Sequence, residues 1–311
     1  MVEVKNMEAI IIIGFLADYN MKDKIEEVFN EYQINFNYPE KPNSTLDSEV
    51  YYEIPVTLNT VNNSNIISNI CRDLKTKFNI DCGETVSFKF DDNDFINAPF
   101  YELKSTGNSS KAFLSHKNDG IKLITLCNVC KIQAKIQQSS LVMDTSKIGD
   151  RYMVNVGTDF WVVSEKMAAL MEKWDITGYT LKEVIHSGKN SPQPVFQVIP
   201  TNILPPWSSA MKHYYFVTQS EGQCSECDIR GRIDYPYHYD KSDLEQYSIT
   251  DISMMREWKS NGQWAYHPTF ISNRFRRLLI ENGITSDVRD IYAKNYKSKD
   301  WLFDPVIVVD N

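Results

Sequence analysis

The residues best suited to chemistry are two cysteine pairs, Cys127-Asn-Val-Cys130 and Cys224-Ser-Glu-Cys227. Two thiolates three residues apart can grip one ion from a tight turn, because the turn aims both sulfurs and its N–H groups inward. Two such knuckles complete a tetrahedral four-thiolate site, for which Zn2+ is the default metal. A closed site of this kind leaves no position for water, so it organises a fold and does no hydrolysis. Each pair follows a β-like run, Ile121–Leu126 or Tyr214–Val217, as a zinc-ribbon knuckle does. The spacing is unusual: 93 residues separate Cys130 from Cys224, where a ribbon has about 15–20. The same cysteines could instead form disulfides, remain reduced thiols or do redox chemistry. His213 and His238 flank the second knuckle, and either could replace one thiolate to leave a set of three cysteines and a histidine. Cys71 falls within an apolar helical pattern and reads as core, and Cys82 has no pairing motif.

The elements that must position these knuckles can be read from periodicity. Residues 160–177 and 269–285 echo one another at a shift of 108 residues. Ser164 falls on Ser272, Lys166 on Arg274, Met167 on Phe275, Leu170 on Leu278, Met171 on Leu279 and Thr177 on Thr285. Each copy predicts a strand, a serine N-cap and an amphipathic helix. A Cys-x-x-Cys lies upstream of each copy, and Pro194–Ile199 and Pro305–Val309 are matched β-rich runs downstream. Pseudo-symmetric copies (about 120–200 and 214–311) would present their knuckles to one another. Ahead of them, Ala9–Leu16, Lys22–Tyr32, Tyr51–Leu58, Ile66–Phe78 and Thr85–Phe90 predict a β-α-β-α-β layer. The loop Thr106–Ser110 marks a boundary, giving domains at 1–112 and 113–311. The expected class is α+β: an acidic α/β unit, then a duplicated strand–helix–strand unit with a zinc-ribbon-like clasp of four cysteines.

Charge separates the same two parts. Residues 1–115 hold 10 Lys+Arg against 18 Asp+Glu, whereas residues 116–311 hold 23 of each. The whole net charge of −8 therefore sits in the first third. Such a balance disfavours a dedicated nucleic-acid binder, and Asp91, Asp92 and Asp94 are the candidate residues for steering a basic partner. The apolar run at Ala9–Ala17 is short, lacks a positive flank and reads as a buried strand, not a signal peptide. No segment reaches the roughly 20 apolar residues that span a bilayer. The expected location is the cytoplasm, where paired cysteines hold metal more often than they form disulfides.

The two Cys-x-x-Cys motifs combine with Met143-Asp-Thr-Ser-Lys-Ile-Gly-Asp150, Asp251-Ile252 and the repeated strand–Ser–helix–Ile-Thr units. Over residues 120–311 this pattern resembles the bacterial double-CXXCG motif family. That resemblance implies relatives of proposed immunity proteins from polymorphic-toxin loci, whose partner is a cognate toxin. Lys131 and Asp228 stand where the family has the glycine that eases each knuckle's left-handed turn.

Catalytic constellations are missing from the sequence: there is no His-Glu-x-x-His, no phosphate-binding Gly-rich loop and no Gly-x-Ser-x-Gly elbow. The histidines at 116, 186, 213, 238 and 267 are scattered. Tyr235-Pro-Tyr-His-Tyr239 could stack on bases or a partner, but the acidic residues around it leave no basic stripe. The expectation is a non-catalytic binding protein with a structural zinc. A metal-dependent enzyme with an exchangeable ligand position and a zinc-ribbon nucleic-acid binder are the alternatives.

Overall fold

The computed structural model describes residues 8–36, 49–59, 64–90, 92–105, 120–156, 160–209, 215–217, 224–227, 229, 232–234, 236–260, 264–286 and 301–310. The chain begins β1 (Glu8–Asp18), α1 (Lys22–Glu31), β2 (Glu49–Asn59), α2 (Ser64–Phe78), β3 (Cys82–Lys89), α3 (Asp92–Asn97) and β4 (Phe100–Ser105). It continues through β5 (Ile121–Thr125), β6 (Gln133–Gln137), β7 (Val142–Met143), β8 (Met153–Val156) and β9 (Phe160–Ser164). Then come α4 (Glu165–Lys173), β10 (Tyr179–Glu183), β11 (Ile185–His186), β12 (Val195–Pro200), β13 (Tyr215–Val217), β14 (Arg232–Asp234) and β15 (His238–Asp240). The last elements are α5 (Lys241–Gln246), β16 (Ile252–Met254), β17 (Lys259–Ser260), β18 (Trp264–Tyr266), β19 (Thr269–Ser272), α6 (Asn273–Glu281), β20 (Trp301–Pro305) and β21 (Ile307–Val309). The class is α+β, with several sheets and few helices.

Two compact units result, residues 1–91 with 210–235 and residues 92–209 with 236–311. In the first, β1 is the central strand of an antiparallel sheet ordered β2-β1-β3. Its isoleucine run makes this possible, since Ile11, Ile12 and Ile13 are all buried and a central strand needs apolar residues on both faces. Ile25, Val28 and Phe29 form the buried stripe of α1. Phe15 stacks on Tyr52 with ring centroids 4.9 Å apart, and Phe29 lies 6.3 Å from Phe15.

The boundary lies at 91/92 and not at 112/113, for a hydrogen-bonding reason. β4 is an inner strand of the sheet β16-β19-β4-β20, so residues 100–105 belong with the C-terminal part of the chain. The predicted linker at Thr106–Ser110 lies outside the described residues.

A second four-stranded antiparallel sheet, β10-β12-β9-β8, is built from contiguous chain. These two four-stranded sheets feed one apolar cluster. Trp161, Val163, Met167, Met171 and Ile176 meet Tyr101, Ile271, Phe275, Leu278, Leu279, Trp301 and Phe303 in it. The Trp161 and Trp301 rings lie 4.5 Å apart. Burying side chains of this size stabilises by roughly 1.5–3 kcal/mol each, so the helix stripes read from the sequence are core.

The two helix-bearing segments share a strand–serine–helix order. Ser164 and Ser272 are both N-caps in extended backbone, but only the Ser272 hydroxyl accepts from a helical N–H, that of Phe275 at 3.1 Å. Ser164 instead donates to the Tyr152 carbonyl. Gly283 ends α6 in the left-handed region at φ +64°, as its residue type allows, and Asp175 does the same for α4 at φ +48°. The downstream match fails: β12 pairs with β9, whereas the run at Pro305–Val309 is divided between the end of β20, beside β4, and β21, which pairs in parallel with β15. The place beside β19 is taken by β4 instead.

His238 is buried, with Nδ1 2.7 Å from the Pro236 carbonyl, and burial pushes its pKa down. Burial lowers His267 in the same way, its Nδ1 lying 3.0 Å from the Glu257 carbonyl. A histidine held neutral in the fold binds its proton more readily when unfolded. Stability therefore falls as pH drops through the ordinary histidine value of about 6.5, by at most about 1.4 kcal/mol per pH unit for each group. Urea midpoints measured from pH 7.5 to 5.5 should decline, and His238→Gln should flatten that slope relative to the parent chain.

Candidate metal centre

The first knuckle is the turn of a hairpin. β5 and β6 pair antiparallel from Ile121↔Gln137 to Thr125↔Gln133, and Leu126 N–H donates to the Ile132 carbonyl to close the ladder. Residues 128–130 then form the turn, and Lys131 N–H donates to the Cys127 carbonyl at 3.0 Å. Lys131 sits at φ +60°, the left-handed position for which glycine is the easy residue. The turn thus forms with lysine at a conformational cost of about 1 kcal/mol. Val129 N–H points at Cys127 Sγ from 3.4 Å, as expected of a knuckle whose amides stabilise thiolate charge. The second knuckle is a turn at residues 225–227. Asp228 lies outside the described residues.

The ligand-capable atoms of Cys127, Cys130, Cys224 and Cys227 all lie within 4.8 Å of one another. Cys127 and Cys224 are buried, Cys130 and Cys227 half-buried, and none of the six cysteines is disulfide-bonded. A zinc ion with sulfurs at about 2.3 Å would set their mutual separations at about 3.8 Å. Four cysteines at this spacing can therefore hold a metal ion with small side-chain adjustments. Two pairs 93 residues apart in sequence come together despite that unusual spacing.

Among proteins available for comparison, no family model, no curated protein and no solved structure matches this chain.

Other residues singled out in the sequence fall elsewhere. His238 makes its bond to Pro236 and takes no place in the sulfur cluster, and His213 lies outside the described residues. Tyr237 and Tyr239 are fully buried and pack edge-on against Phe270, so their rings are core and cannot stack on bases. Asp92 is exposed at the start of α3. Asp91 lies outside the described residues, as does the side chain of Asp94. The segment around 143–150 anchors a loop: Ser146 donates to Asp144, and the His186 ring sits between Thr145 Oγ1 at 2.9 Å and Gly188 N–H at 3.1 Å. A backbone N–H can only donate, so His186 Nε2 accepts from it and Nδ1 carries the ring's proton toward Thr145. In that state His186 cannot take a proton from Thr145, and the trio does not form an activated nucleophile.

The sequence carried only a faint sign of the strongest polar anchor. The Asp251 carboxylate accepts from Thr177 N–H and Oγ1, both at 2.9 Å, from Ser272 Oγ at 2.6 Å and from Arg274 Nε at 3.0 Å. Arg274 Nη2 adds an ion pair. Burial alone would raise the Asp251 pKa, but the bonds from Arg274, Ser272 and Thr177 overcome it and hold the carboxyl below its usual value. Thr177 ends one copy of the echoed segment, whereas Ser272 and Arg274 open the other. Arg276 was also illegible. It is buried, its guanidinium 4.6 Å from the Phe95 ring and 5.2 Å from that of Tyr101.

Proposed function

We propose that this protein is a non-catalytic binding protein whose four cysteines hold one structural Zn2+, and that it acts in the bacterial cytoplasm to neutralise a cognate toxin. The observation that carries the metal part is the convergence of four thiols, two of them buried, without a disulfide among them. Four sulfur ligands select zinc among the common ions, and saturate it, which leaves no position for a reacting water. The metal would tie together two chain segments remote in sequence, and binding energy of this kind, on the order of 10 kcal/mol, is comparable with the stability of a whole domain. A duplicated origin for the two helix-bearing segments fits the serine at each N-cap position and the 108-residue register. In this reading the second copy has exchanged one strand, taking β4 where the first uses β12. The immunity role rests on the double-CXXCG resemblance. The exposed carboxylate of Asp92 accords with a surface that attracts a basic partner. Co-expression with the product of the adjacent gene tests it: the expected result is a stable complex and rescue of growth. Failure of both complex formation and rescue would remove the immunity role while leaving the zinc assignment to its own metal analysis.

A further inference from the structure

The first knuckle pays for a residue type that its turn does not favour. Among the described residues, Gln33, Asn79, Lys131 and Asp175 are the non-glycine residues with positive φ. Gln33, Asn79 and Asp175 each follow a helix (α1, α2 and α4), where a left-handed residue closes the last turn by backbone hydrogen bonds. Lys131 instead stands in a hairpin turn, directly after Cys130, where glycine would remove the cost. Its side chain is exposed, so packing does not account for a lysine there.

The sulfurs differ in their surroundings. Cys127 is buried, and its Sγ accepts from Val129 N–H at 3.4 Å. Cys130 is half-buried on a turn whose Val129 is 65% exposed, and the next residue carries a positive charge. Cys227 is half-buried too, but the residue beside it is the exposed Glu226. Cys130 therefore combines access to solvent with a neighbouring cation, the two conditions under which a thiolate is oxidised most readily.

We propose that the first knuckle is a peroxide-sensitive dithiol, in which Cys130 is oxidised first and Cys127 then captures it as a disulfide. The Cys130 thiolate attacks one oxygen of hydrogen peroxide. An S–O bond forms, the O–O bond breaks and hydroxide leaves, with two electrons passing from sulfur to oxygen. Lys131 places its charge where that hydroxide departs. The Cys127 thiolate, its sulfur within 4.8 Å, then attacks the Cys130 sulfur. An S–S bond forms, the S–O bond breaks and a second hydroxide leaves. Each hydroxide takes a proton from solvent, so two thiolates, one peroxide and two protons give a disulfide and two waters. Cys127 resolves the oxidised sulfur because the turn keeps it near, closed by the 3.0 Å bond from Lys131 N–H to the Cys127 carbonyl. The disulfide withdraws two of the four metal ligands, and the tie they make is lost. That consequence rests on the zinc reading above, whereas the order of oxidation rests on the turn alone.

The test treats the full chain, as purified, with hydrogen peroxide and dimedone, which traps sulfenic acids, and follows each cysteine by peptide mass spectrometry. Cys130 should be trapped at least about threefold faster than Cys227, and faster than Cys71 and Cys82, which are half-buried as well. Without dimedone, a Cys127–Cys130 disulfide should accumulate. Lys131→Gln should slow trapping at Cys130 by about threefold, and Lys131→Arg should restore it. Lys131→Gly should slow it equally while raising the melting temperature, since glycine suits the turn. Trapping at Cys227 first, a rate indifferent to Lys131→Gln, or a disulfide joining any other pair would overturn the proposal. Metal counted before peroxide is added reports on the zinc reading separately. A metal-free chain would overturn that reading, and the trapping order would still decide this one.

Discussion

Cys224→Ser should lower bound metal from about one ion per chain to a small fraction of that, and should lower stability more than any other single change considered. Three sulfurs and a hydroxyl grip zinc far more weakly than four thiolates, because the hydroxyl stays protonated at neutral pH. Since much of the binding free energy of a structural site is folding free energy, the loss should appear as an early, chelator-insensitive unfolding transition. In the parent chain the corresponding transition should move to lower temperature on adding a strong chelator. Plasma emission spectrometry of the purified protein gives the metal count, and absorption of a cobalt-substituted form reports the ligand set. Bands of a tetrathiolate complex are the expected outcome. A metal-free chain that melts as Cys224→Ser does would mean that the sulfurs converge without a cation.

Asp251→Ala should cost about 3 kcal/mol. The carboxylate is only 5% exposed and accepts from three residues, and stranding such donors is what makes loss of one partner expensive. Arg274 is about half exposed, so its ion pair is screened by water and adds little. Most of the loss comes from Thr177 and Ser272. For a unit of this size the melting temperature should fall by about 6–12 °C. The pH dependence has a definite sign. Asp251 titrates lower in the fold than in the unfolded chain, so its contribution is complete above about pH 4 and is lost as pH falls through the folded value. Asp251→Ala should therefore differ from the parent near neutrality and converge on it in acid, as read by urea midpoints.

Several features were legible because local pattern and tertiary role agree. The isoleucines of β1, the stripes of α1, α4 and α6, and the Ser272 cap follow from period and residue type alone. The sulfur cluster was legible for a different reason: two Cys-x-x-Cys turns have few structural uses besides meeting one another. The domain boundary was not, because it depends on where β4 finds its partners, nearly 170 residues downstream on β19 and 200 on β20. No periodicity encodes such a choice. Asp251 was singled out only as part of a motif, since its donors are scattered over Thr177, Ser272 and Arg274 and hydrogen-bond geometry leaves no spacing rule to read. Arg276 lies about 100° around α6 from Phe275, so neither the stripe's spacing nor its residue type placed it inside.

The position of β4 bears on how the protein is made. A ribosome releases the strands of the β10-β12-β9-β8 sheet within about 50 residues of one another, so that sheet can close while synthesis continues. β4 emerges earlier still, whereas β19 and β20, which flank it, are made nearly 170 and about 200 residues later. Until then its two edges stay uncovered, and pairings this distant in sequence form slowly. A nascent chain stopped before Trp301 would carry β4 with one edge bare, open to the wrong partner.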